Sequence, residues 1–157
     1  RADSVLALLH YRILYGGAMS YAGGWLDGNY AKFLYEAGLS SQRISELLVD
    51  LGDEFFHRTF FNHYLSAFVK EAQGIVIDVT SLPNQIRMPL TAWGRSGEEI
   101  DKQVRFLLVV DKQTSNPIFF RVLAGNIVDV STLPTMLQEL RYFGVKDCFV
   151  YTDAGLF

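Results

Sequence analysis

A chain of 157 residues, half of them apolar and a fifth charged, carries enough apolar material for one substantial domain, or for a domain with a smaller helical neighbour, and is not disordered by composition. Its net charge of -3 and sequence pI of about 5.6 exclude a basic tail for nucleic acid while leaving room for a local patch. The single cysteine, Cys148, excludes an internal disulfide framework, fits a reducing cytoplasm and reads as a packed thiol within a strand-like run.

The first residue is arginine and the chain closes on "DAGLF", which reads as a piece of a longer protein or as the product of a broken gene. Residues 1–72 favour helices. "DSVLALLHYRILY" follows a candidate cap at Asp3, with Val5, Leu6, Leu8, Leu9, Ile13 and Leu14 as its apolar stripe. The run from Ile13 to Leu26 is too short for a bilayer span of roughly 20 apolar residues, and its glycines predict a broken or closely packed helix. "SSQRISELLVDLG" starts with Ser40 or Ser41 as cap, turns Ile44, Leu47, Leu48 and Leu51 to one side, and stops at Gly52. A helix-turn-helix reader of DNA here would rest on Gln42 and Arg43 alone. "DEFFHRTFFNHYLSAFVKEA" places Phe55, Phe56, Phe60, Tyr64, Leu65 and Phe68 on one wide face. A small helical bundle accounts for all of this. His57 and His63, six apart, fall on opposite sides of a helix and His10 stands alone, so the histidines read as surface or packing residues.

From residue 73 the period changes. "GIVIDVTS" is a strand whose β-branched run predicts burial, yet Asp78 sits inside it. A long polar connection runs from Leu82 to Lys102. Arg87, Arg95, Lys102 and Arg105, in or near it, could meet phosphates, although acidic residues interleave with them. Val104–Asp111 and Pro117–Gly125 read as a hairpin around "KQTSN". Asn126 shapes the turn that follows, Asp129 or Ser131 caps a helix holding Pro134 in its first turn and ending at Gly144, and "KDCFVYTDAG" is a last strand ending in Asp153.

The fold class expected is therefore α/β: a helical region over 1–72, then strand-strand-strand-helix-strand over 73–157, an incomplete ribonuclease-H-like core. A helical crossover favours parallel pairing of the last strand with the first, which would set Asp78 beside Asp153. Two neighbouring carboxylates repel, and a divalent cation between them cancels the charge; magnesium, with its oxygen ligands and retained waters, suits phosphodiester chemistry. Asp153 could instead simply end a strand. Thr80, two residues on, shares Asp78's face and is a candidate supporting hydroxyl; Asn126 is a further candidate for that outer role.

"IDVTSL", with its Asp-x-Thr, "GRSGEEIDKQVRFLLVVDKQTSNPIFFRVLAGNIVDVSTL", and "LRYFGVKDCFVYTDAGLF" follow one another in a fixed order. Together, from Gly74 to Phe157, they resemble the catalytic core of bacterial insertion-sequence transposases of the DDE type, the IS-four-like group. The resemblance implies Asp78 and Asp153 as the first two catalytic and metal-binding acids, with the third, a glutamate, having no counterpart here. It implies two magnesium (or manganese) ions and, for the intact enzyme, a homodimer that cleaves inverted-repeat ends and joins them to target DNA in a bacterial cytoplasm. The fragment alone is then expected to be inactive in strand transfer. A ribonuclease-H-like nuclease and a non-catalytic truncated DNA-binding or assembly module are the alternatives.

Overall fold

A computed structural model describes residues 1–69, 72–96, 99–127, 129–146 and 148–153. By packing, the chain divides within a helix into two compact units, Arg1–Thr59 and Phe60–Phe157.

The first unit is helical. It holds α1 (Ala2–Leu14), a 3-10 turn (Met19–Tyr21), α2 (Ala22–Asp27), α3 (Ala31–Leu34) and α4 (Ser41–Leu51), and it contains the start of α5 (Glu54–Phe68). Asp3 does not cap α1: it lies in the first turn, where its carboxylate accepts the Glu36 N–H at 3.0 Å. The buried stripe of α1 is also narrower than its apolar content suggested. Ala7, Leu8 and Tyr11 are buried, whereas Leu6, Leu9, Ile13 and Leu14 are exposed. Tyr11 selects that stripe, because its buried hydroxyl donates to the Ala18 carbonyl at 2.6 Å and so fixes the helix's rotation. Ser40 does cap α4, accepting the Arg43 N–H at 3.3 Å, and the helix passes into Gly52 as expected.

The second unit is a five-stranded mixed sheet with helices on one face. Its strands are β1 (Gly74–Pro83), β2 (Ala92–Ser96), β3 (Glu99–Asp111), β4 (Pro117–Ala124) and β5 (Phe149–Thr152), with α6 (Asp129–Tyr142) between the last two. β3 is central. β1 pairs antiparallel with it along one edge; along the other edge β2 covers residues 99–103 and β4 covers 104–110, so these two lie end to end. β5 pairs parallel with the free edge of β1. Leaving β2 aside, the order β4-β3-β1-β5 is that of an incomplete ribonuclease-H-like sheet.

β2 was not expected. Its five residues, with a glycine at the centre, carry no run of alternating apolar side chains, and pairing along β3 is what makes them a strand. The end-to-end junction of β2 and β4 is tight. The Gln103 side-chain amide, buried, donates to the Gly125 carbonyl at 3.1 Å, and Gly125 N–H donates to the Leu90 carbonyl at 3.2 Å. A Cβ on Gly94 or Gly125 would collide with backbone and with Gln103, which is why glycine stands at both positions.

The core decides which side of β1 is inside. Ile75 and Ile77 of β1, Leu107 and Val109 of β3, and Ile118 and Phe119 of β4 pack against Phe61 and Leu65 of α5 and Met136 and Leu140 of α6. The helical residue that anchors α5 is thus Phe61. Phe55, Phe56, Phe60 and Phe68, expected on the packed face, are exposed. Burying a ring the size of Phe61 contributes about 2–3 kcal/mol by area. Pro134 falls in the second turn of α6 rather than the first, the helix ends at Gly144 with φ +92°, and the Asp129 side chain, one of the two candidate caps, lies outside the described residues.

Candidate functional site

In β1 the alternation of side chains resolves the aspartate in an apolar strand. Ile75 and Ile77 enter the core with Val79 against it, so Asp78 and Thr80 point to the opposite face, where both are exposed. The strand is therefore buried on one side only, contrary to the expectation of full burial. Asp78 carries no desolvation cost of the kind that its apolar neighbours implied.

The parallel ladder between β1 and β5 runs Gly74–Phe149, Ile75–Val150, Val76–Tyr151 and Ile77–Thr152. Asp78 and Asp153 each follow directly on the last pair. Neighbouring strands lie about 4.8 Å apart, and residues at partner positions of a parallel pair share a face. Tyr151 stands on the same side as Asp78: a Cβ added to Gly74 would meet its ring at 3.1 Å, and the Lys112 ammonium lies 3.6 Å from the ring centre. Asp153, two residues beyond Tyr151, continues that alternation, and it is exposed. Thr80 joins them, its hydroxyl donating to Asp78 Oδ2 at 3.4 Å.

Asn126 is not part of this group. It sits in the turn beyond β4, closed by Ile127 N–H donating to the Ala124 carbonyl at 3.0 Å. Ala124 pairs with Val104, which pairs with Leu82, four residues past Asp78 on β1. At about 3.3 Å per residue and 4.8 Å per strand, Asn126 is on the order of 20 Å away. Its role is the turn.

The donor set at Asp78 is carboxylate oxygen with a hydroxyl beside it, open to solvent, and Asp78 makes no ion pair among the described residues. Those are hard oxygen donors, the chemistry that magnesium or manganese takes. Among the described residues no three His, Cys, Asp or Glu side chains converge. His10, meanwhile, shares a 2.7 Å hydrogen bond with the Tyr35 hydroxyl. The reading of the sequence missed Trp93, which the β2–β3 pairing sets opposite Lys102; without β2 nothing linked them.

By sequence the chain matches no family model and no curated protein. Among solved structures it is matched to the Mos1 transposase paired-end complex with left transposon end, at 13% identity and a TM-score of 0.29, over 89% of this chain and 46% of that one. This chain thus spans less than half of that neighbour's length, and a likeness at that level carries no argument about function. No helix among the described residues is long and apolar enough to cross a membrane.

Proposed function

We propose that the chain carries part of the reacting centre of a DNA transposase of the DDE type, similar to the IS-four-like group, with Asp78 and Asp153 as its first two acids. The observation that supports this most directly is the register: Asp78 and Asp153 are each the next residue after the last pair of the β1–β5 ladder. The acids stand on adjacent parallel strands at an open face, and the motifs that resemble that family run through the same strands.

In this reading Asp78 and Asp153 hold divalent metal, magnesium or manganese, with two ions in the intact enzyme. Held there, such a metal would supply Lewis acidity toward a water and a phosphodiester oxygen. The chain's own residues contribute orientation. The Thr80 hydroxyl, on the same face, donates a long hydrogen bond to Asp78 Oδ2 and leaves the other carboxylate oxygen open to a ligand. Exposure of both acids leaves room for a nucleic-acid backbone, which a buried pair would exclude. DNA, as element ends and target, is the substrate; a homodimeric intact enzyme belongs to the same reading.

The test is manganese binding followed by electron paramagnetic resonance. The chain binds Mn2+, and Asp78→Asn and Asp153→Asn each weaken that binding at least tenfold. Equal affinity in Asp78→Asn and the parent would remove the basis of the proposal.

A further inference from the structure

The connection between β1 and β2 is built rather than loose. Asn84 Oδ1 accepts the Ile86 N–H at 3.0 Å, its amide donates to the Thr91 hydroxyl at 2.8 Å, and that hydroxyl donates to the Ile86 carbonyl at 3.0 Å. Asn84 N–H donates in turn to the Lys102 carbonyl at 2.9 Å, which fastens the loop to β3. The loop so held presents Arg87, exposed, and Lys102, exposed, to one shallow cavity together with Gln85 and Met88. Neither cation has a carboxylate partner among the described residues.

Beside Lys102 stands Trp93, its cross-strand partner, 61% exposed and with the Lys102 ammonium 5.6 Å from the ring centre. A large aromatic ring left in water against one cation, with a second cation at the same cavity as the first, is the composition of a surface that stacks a base and holds its phosphates. Its position fits as well. Leu108 is the partner of Asp78, and Lys102 lies six residues before it on β3, an even number, so Lys102 and Trp93 share the face of Asp78. Along the strand the separation is about 20 Å.

We propose that the 84–91 loop and the β2–β3 pair bind an unpaired segment of DNA, with a base stacked on Trp93 and flanking phosphates on Arg87 and Lys102. The choice of DNA as ligand rests on the reading of Asp78 and Asp153 given above; the surface itself rests on the loop, the cations and the ring.

The experiment is fluorescence anisotropy of a labelled oligothymidine of roughly 12 nucleotides, and of a duplex of the same length, with the 157-residue chain in EDTA. The single strand binds more tightly than the duplex. Trp93→Ala weakens single-strand binding about tenfold, whereas Trp93→Phe, which keeps a stacking ring and guards against an Ala variant that fails to fold, stays within about threefold. Arg87→Gln with Lys102→Gln lowers the slope of log affinity against log salt by about 1.4, two phosphates at 0.7 each. No binding by the parent, duplex preferred over single strand, or equal binding by Trp93→Ala and the parent overturns the proposal; the last result is the one a surface for a protein partner would give. Asp78→Asn binds the strand as the parent does in EDTA, so the two proposals separate. Loss of the Trp93 effect with manganese binding intact sinks this surface alone, and the reverse pattern sinks the metal site alone.

Discussion

Two carboxylates in the same sheet have opposite surroundings. Asp111 closes β3, is buried, and has one oxygen occupied twice by Thr114, from its backbone N–H at 2.7 Å and its hydroxyl at 2.6 Å. Asp78 is exposed, and among the described residues its hydrogen bond is the longer one from Thr80 at 3.4 Å. The first acid is consumed by structure, since the turn into β4 folds around it. The second is left with capacity to spare. Acidic residues on strands divide along this line, and the hydrogen-bond inventory separates them where residue type cannot.

The largest expected effect that breaks this comparison is Asp111→Ala. It leaves two donors of Thr114 without their acceptor and is expected to destabilise the fold by about 3 kcal/mol, read by urea unfolding, while Mn2+ binding per folded molecule stays unchanged. Thr114→Val follows, at about 2 kcal/mol, since a hydrogen bond to a charged group is lost and the backbone donor remains.

Acid titration sharpens the same contrast. The Thr114 hydroxyl, and after it the Thr114 N–H, hold the Asp111 carboxyl below the usual aspartate range against the opposing effect of burial. A folded pKa below the unfolded one means stabilisation that is complete above the unfolded value and lost as pH falls through the folded value. As pH falls through the ordinary aspartate range and below it, the parent therefore loses more stability than Thr114→Val does. Equal acid limbs would show that the Thr114 hydroxyl does not set the Asp111 titration.

The smaller effects belong to Asp78. With Mn2+ at ten times its dissociation constant, the parent gains about 1.4 kcal/mol of stability, a gain that Asp78→Asn cuts to about 0.4 kcal/mol or less. Without metal the same substitution changes stability by no more than about 0.5 kcal/mol, because an exposed side chain with one weak hydrogen bond is being replaced. A metal-free loss approaching that of Asp111→Ala would mean that Asp78 is a structural acid after all.

Much of the fold was legible from local chemistry. The Ser40 cap, the stop at Gly52, the hairpin at "KQTSN" and the helical crossover before β5 were each written in a few adjacent residues. The adjacency of β1 and β5 followed from the crossover rule. Helix faces were read less well. α1 and α5 carry more apolar residues than one stripe needs, so several rotations satisfy the pattern equally, and Tyr11 and Phe61 chose among them through contacts distant in sequence. Trp93 was invisible as a partner of Lys102 because the strand that pairs them has no periodicity of its own.

Sequence alone determined that Asp78 and Thr80 share a face and that Asp153 lies at the end of a strand, because a strand alternates strictly and polar residues gather where it stops. It did not determine which face. Only the packing of α5 and α6 against Ile75, Ile77, Leu107 and Val109 made that side the interior and left Asp78 in water. The physical reason is that burial belongs to the assembled layers, so one strand with apolar residues on both sides can turn either of them inward.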